Sequence, residues 1–191
     1  MFGPGDILLY TAPTLKLSNL IAKGVGLVEG NKVHHVAIYL GADDKRHTIL
    51  EALSDGVKIK TLDDNCIYTR TDGKAMGFTL YGFSKLPKIQ VSVGNNVFAF
   101  SAAKYDGSSY GYLTNINILL QHGKCRLFPK KPWTIWFKSK KGLICSEVAQ
   151  LVIKDVLDLY KMDLPFKKEA ALTEPDDYLY APWEVTIINN N

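Results

Sequence analysis

No stretch of the 191 residues approaches the roughly 18 consecutive apolar residues that a membrane-spanning helix needs. The opening MFGPGDILLY has no basic start and reaches Gly, Pro and Asp before any sustained apolar run, so it does not read as a secretory leader. Phe2 stands where N-myristoylation would require glycine. The expected location is therefore the cytoplasm, or a virion if a phage encodes the chain. Cysteine is scarce: Cys66, Cys125 and Cys145 make an odd set with no short paired spacing, which predicts reduced thiols rather than a disulfide framework or a zinc ribbon. Charge of one sign is also missing. Lys and Arg number 23 against 19 Asp and Glu, and the net +4 lacks the strong bias of a dedicated nucleic-acid binder while permitting anionic partners. Without repeats, low-complexity tracts or a long linker, residues 1–191 are expected to form one domain.

Apolar residues are plentiful, at 47% with 11% aromatics, enough for a packed core. GDILLY (5–10) reads as a short strand after a turn, and LSNLIAKGVGLVEG (17–30) as a helix opened by Ser18 or Asn19 and closed by glycines. VAIYLG and TILEAL flank ADDKRH, whose Asp43 and Asp44 favour a turn, so residues 34–52 predict an antiparallel hairpin. VKIKTL (57–62) alternates and predicts a third strand; FTLYGF (78–83) predicts a fourth, with a polar loop over 63–76. Asn95 or Asn96 can cap a helix over VFAFSAAKY (97–105) that ends at Gly107. The longest helical pattern is CSEVAQLVIKDVLDLY, which begins at Cys145.

That position gives Cys145 chemical interest. A thiol at a helix start faces unpaired N–H groups and the positive end of the dipole, both of which favour the thiolate. Nucleophilic use of the thiol needs an imidazole within reach and a third polar group to fix that imidazole's tautomer. The histidines are His34, His35, His47 and His122. Strand alternation puts His35, Ala37 and Tyr39 on one face and His34, Val36, Ile38 and Leu40 on the other. The second face is aliphatic and predicts core. The His35 face, with the small Ala37, is expected to receive the helix bearing the thiol. Glu51, an acid within ILEAL, returns in the hairpin roughly opposite Val36 and beside His35. A carboxylate in an apolar strand calls for a partner, and the imidazole is the obvious one. The plainer alternative is a solvated Glu51 on a strand edge and a structural His35.

The segment KCRLFPKKPWTIWFKSKKG (124–142) interleaves basic residues with Phe128, Trp133, Trp136 and Phe137. An edge hairpin with core aromatics and solvated lysines is one reading; a wall of a substrate groove, with Trp133 and Trp136 as contacts, or a binding surface for an anionic polymer, is the other. GVGLVEG follows a helix and lacks the phosphate-binding pattern. Asp176 and Asp177 of EPDDY are read as a turn or helix cap rather than metal ligands. No His/Cys spacing supports a metal, and no cofactor is expected.

Taken in order, GDILLY, HHVAIYLG, ILEA, GLICSEVAQLV and EPDDYLYAP resemble the circularly permuted NlpC-like (YiiX/YebB-like) branch of the papain-fold cysteine hydrolases, over roughly residues 3–182. In that branch the histidine precedes the cysteine, as it does here. The resemblance implies an α+β papain-like fold, an antiparallel sheet or barrel packed against the helix carrying the nucleophile. It also implies Cys145 as nucleophile, His35 as general base, because that histidine stands directly before Val-Ala, and Glu51 as third group. YDGSSYGYL (105–113) resembles the segment ahead of the catalytic helix, which implies Tyr110 or Tyr112 in the pocket. The implied activity is cleavage of an amide or peptide bond, with peptidoglycan peptides as a substrate class. Lipid acyl hydrolysis or acyl transfer on the same fold, and a non-catalytic binding or virion-structural protein using 124–142, are the alternatives.

Overall fold

The computed structural model describes residues 2–12, 32–85, 96–114, 142–164, 166 and 168–188. The predicted helix over 17–30 lies outside these residues, as does the basic and aromatic segment 124–142 up to Gly142.

The hairpin forms where sequence places it. Strands β2 (His35–Asp43) and β3 (Arg46–Leu53) pair antiparallel across a turn in which Asp44 adopts a left-handed φ of 55°, a conformation that Asp tolerates better than most residues. The pairing slips between Tyr39 and Gly41, a bulge that adds local twist. β4 (Gly56–Asp63) continues the meander along the whole of β3. Gly56 is required there. Its φ is 109°, and a Cβ would lie 2.8 Å from the Ser108 carbonyl oxygen.

The remaining strands extend the other edge. β1 (Ile7–Thr11) pairs with β2, β5 (Thr79–Lys85) pairs with β1, and β8 (Glu184–Ile187) pairs with β5. The described strands thus make a six-stranded antiparallel sheet in the order β4-β3-β2-β1-β5-β8. The architecture is α+β. The predicted strand over 78–83 exists, but the chain has crossed past β1 to reach it. The closing EVTI is an edge strand that the sequence reading did not include.

Between β4 and β5 the expected loop over 63–76 is partly ordered as helix α1 (Asp64–Tyr68) and a 3-10 turn (Gly73–Ala75). Ile67 and Ala75 explain this, because both are fully buried and pin the crossing to the sheet. Helix α2 (Asn96–Ala103) stops two residues short of the predicted end, and Gly107 follows with a φ of 79°. The short strands β6 (Ser109–Tyr110) and β7 (Gly142–Leu143) pair in parallel just ahead of helix α3 (Cys145–Leu159).

Each face of the sheet has its own core. Ile7, Leu9, Val36, Ile38, Leu40 and Leu50 pack with Val148, Ala149, Val152, Ile153 and Val156 of α3. Leu8, Tyr10, Ala37, Tyr39 and Ile49 pack with Ile67, Ala75 and Phe78. Strand alternation is therefore as predicted, but the expected docking of α3 on the His35 face is wrong: the helix covers the opposite face. The reason is complementarity of area. An aliphatic stripe recurring every three to four residues along α3 loses least by meeting an equally aliphatic sheet face, whereas the His35 face mixes aliphatic residues with Tyr10, Tyr39, His35 and Glu51. Among the described residues, no helix is long and apolar enough to cross a membrane.

The face assignment is testable within one helix. Ile153 is fully buried and Leu159 is exposed. Ile153→Ala should lower the unfolding free energy in urea by about 2–5 kcal/mol, and Leu159→Ala by less than about 0.5 kcal/mol. Comparable losses would contradict the packing described.

Candidate active site

β7 delivers the chain to Ile144, an extended N-cap residue with φ −94° and ψ 166° that offers no side-chain cap, and α3 begins at Cys145. The first N–H groups of a helix have no partners within it, and the N–H groups of Ser146, at this helix start, and of Val36, on β2, act on the thiol to favour its ionised form. Cys145 thus lies at the end of β2 rather than across its face, which is how a helix on one side of the sheet meets a histidine on the other. His35 is the first residue of β2, and its imidazole is near enough to the thiol for each to shift the other's titration.

The other ring nitrogen is engaged. His35 Nε2 donates to Glu51 Oε2 at 3.0 Å. Register places Glu51 opposite Ala37, one residue from the predicted Val36, and therefore diagonal to His35 on the same face. Phe78 stacks on the imidazole, with centroids 5.1 Å apart and planes 12° from parallel, and Tyr10 lies at 5.9 Å. Glu51 is 0% exposed, which rules out the solvated strand-edge reading.

No protein-family model matches the chain, and a search of curated proteins returns no significant match.

Electrostatics links the three groups. Burial pushes the Cys145 thiol up, but His35 and the N–H groups of Val36 and Ser146 outweigh it and hold the thiol below its ordinary value. Burial opposes a charge on His35; Cys145 and Glu51 prevail and the imidazole is pushed up to about 9. Burial likewise opposes ionisation of Glu51, yet Arg70 and His35 keep it well below the usual carboxylate range. Both shifts run toward a thiolate beside an imidazolium.

Sequence reasoning missed the groups that make this possible. Arg70 is 0% exposed and grips Glu51 with both terminal nitrogens, each at 2.8 Å. It also bonds Asp72, at 2.7 Å from Nη2. Lys60 Nζ lies 3.0 Å from Glu51 Oε1 and 3.7 Å from Asp72 Oδ2. The alternation of VKIKTL put Lys60 on Glu51's face and was a usable signal; Arg70 in a polar stretch gave none.

EPDDY does form the turn that its composition predicts, a 3-10 turn (Pro175–Tyr178) closed by reciprocal Glu174 and Asp177 bonds. It also ties the two site segments together. The Val33 N–H donates to Asp176 Oδ1 at 2.8 Å, and the fully buried Tyr178 hydroxyl donates to the Ser146 carbonyl at 2.7 Å.

Of the predicted pocket residues, Tyr110 pairs with Leu143 on the strand leading to Cys145, and Tyr112 stands at its side, 4.9 Å between ring centroids. Tyr112 donates to the Ser54 carbonyl and is half exposed. Trp133 and Trp136 lie outside the described residues, as do His122 and Cys125. His34 accepts from the Ala12 N–H, and His47 sits between Tyr39 and Asp64, so neither takes His35's place. Cys66 is partly buried beside Thr71 and Asp72. Among the described residues, no group of three or more His, Cys, Asp or Glu side chains is arranged to hold a metal ion.

Glu51→Gln breaks the buried ion pair with Arg70 and leaves Arg70 with Asp72 as its remaining carboxylate partner, which should cost about 2–3 kcal/mol at pH 7. Glu51's folded value is depressed below 4.5, so its contribution is present above pH 4.5 and is lost as pH falls through that lower value. Urea titrations at pH 7, 4.5 and 3 should show the gap between wild type and variant constant at first and then narrowing. A gap that persists unchanged at pH 3 would exclude a depressed Glu51 value.

Proposed function

We propose that this chain is a cysteine hydrolase of the permuted papain-like type that cleaves an amide or peptide bond through an acyl-enzyme. The observation that carries the reading is a buried thiol at a helix start coupled to His35, whose second ring nitrogen is held by Glu51. The order histidine, acid, cysteine along the chain and an antiparallel sheet covered by the cysteine-bearing helix support the papain-like assignment.

The chemistry follows from those positions. With Nε2 given to Glu51, Nδ1 is the ring nitrogen left for the thiol. The Cys145 thiolate attacks the carbonyl carbon, the carbonyl electron pair moves to oxygen, and the Cys145 backbone N–H at the helix start stabilises that oxyanion. Collapse breaks the C–N bond, and the leaving amine takes its proton from His35. Water then attacks the thioester while His35 accepts a proton, releasing the acid and restoring the thiolate. Peptidoglycan peptides are the first substrate class to test. Acyl lipids satisfy the same steps and give the acyltransferase alternative its test.

Iodoacetamide labelling across pH should modify Cys145 below neutrality, ahead of Cys66 and Cys125, and His35→Ala should abolish that preference. Turnover should be screened on peptidoglycan fragments, ubiquitin-like conjugates and acyl lipids with Cys145→Ser as control. It should fall as pH rises through about 9, where His35 loses the proton that the leaving group needs, and by about 10²–10⁴-fold in His35→Ala. A Cys145 no more reactive than the other two thiols, with no turnover on any class, would instead point to a binding protein.

A further inference from the structure

Two features of the buried charge cluster are not needed to stabilise the sheet. A guanidinium with no exposure is costly to desolvate, and a well-packed apolar side chain commonly serves stability as well or better. The segment that carries it, between α1 and β5, also contributes the ring stacked on His35. We propose that Arg70 is a positioning residue of the Cys145–His35 site: its fork fixes the plane of the Glu51 carboxylate, and that carboxylate fixes the rotation of the His35 ring toward the thiol. This rests on the thiol-hydrolase reading above.

The geometry is specific. Arg70 Nη1 and Nη2 take Oε2 and Oε1 of Glu51, so the carboxylate cannot rotate without breaking one of two parallel bonds. Oε2 is also the atom that receives His35 Nε2. Lys60 sets an ammonium 3.0 Å from Oε1, a point charge that balances Glu51 without setting its plane. Arg70 is itself held from behind by Asp72, and its guanidinium lies over the Tyr10 ring at 5.7 Å. Its main chain completes the arrangement. The Arg70 N–H donates to the Phe78 carbonyl and the Gly77 N–H donates to the Arg70 carbonyl, both at 2.8 Å. One residue therefore holds the carboxylate at the edge of the imidazole and the backbone of the ring on its face. Rotation and tilt of His35 are set from the same place, which matters because displacements of about 1 Å can cost two orders of magnitude in rate.

The chemical consequence concerns the proton. With Arg70 and His35 donating to it and the Lys60 ammonium beside it, Glu51 has no tendency to take the ring's proton, so the proton stays on His35 for the leaving group. Tyr10 and Tyr178, the phenols flanking the site, are buried and titrate above their ordinary range, so a pH profile of thiol reactivity reads Cys145 and His35.

The test compares the pH profile of Cys145 alkylation in wild type, Arg70→Lys and the double variant Glu51→Gln/Arg70→Met. Arg70→Lys keeps the charge and loses the fork; the double variant removes both buried charges together, which protects the fold. Thermal melting followed by circular dichroism verifies that each is folded. Both variants should shift the alkylation midpoint upward, by roughly 1 pH unit or more in the double variant, and slow alkylation at pH 6 by about tenfold. Folded variants with the wild-type midpoint would overturn the role of Arg70 while leaving the hydrolase reading intact. Wild-type protein with no His35-dependent reactivity at low pH would overturn both.

Discussion

A carboxylate removed from water must be compensated by charge and hydrogen bonds, and the way Glu51 is compensated organises much of the molecule. Glu51 lies inside a strand with no exposure; His35 from β2 and Arg70 from the connection after α1 supply its donors, and Lys60 from β4 adds a countercharge. A buried ion of this kind is a poor source of stability. Its value lies in direction. Once the carboxylate is saturated, each partner has a defined place, and the partner that matters chemically is the imidazole at the end of β2.

The sheet separates two tasks that would otherwise interfere. One face is aliphatic and anchors α3 through Val148, Val152, Ile153 and Val156. The other carries His35, Glu51 and the groups that hold them, closed by Tyr10, Ile67 and Phe78. The two meet only where a strand ends, because there a helix start can lie level with the strand's first residues. Tyr178 and Asp176 bind that junction from outside, one on each segment. The thiol therefore owes its position to the helix and the lowering of its pKa in part to His35, on the opposite side of the sheet.

Much of this was legible before any fold was known. Alternation in HHVAIYLG assigned the two faces correctly, the turn at Asp43 and Asp44 gave the hairpin, and the apolar stripe after Cys145 gave α3. Glu51 was found because an acid within ILEAL is a local inconsistency, and such inconsistencies mark sites where another requirement overrides packing. Arg70 could not be found in the same way. In YTRTDGK an arginine among polar residues is locally unremarkable, and only the crossing of the chain over the sheet buries it. The strand at 184–187 was hidden for a related reason: its pairing with β5 joins residues about a hundred positions apart, and no local pattern encodes such a contact.

Sequence alone determined periodicity and turn chemistry and singled out the candidate groups, because these depend on neighbours a few residues away. It determined that a thiol would open a helix, that an imidazole would open a strand, and that an acid would sit beside that imidazole. Tertiary structure alone decided which face α3 would cover, that β1 would lie between β2 and β5, and that Arg70 would be enclosed against Glu51. Those outcomes depend on matching whole surfaces and compensating buried charges across the fold, and they are settled only when distant segments compete for the same contacts.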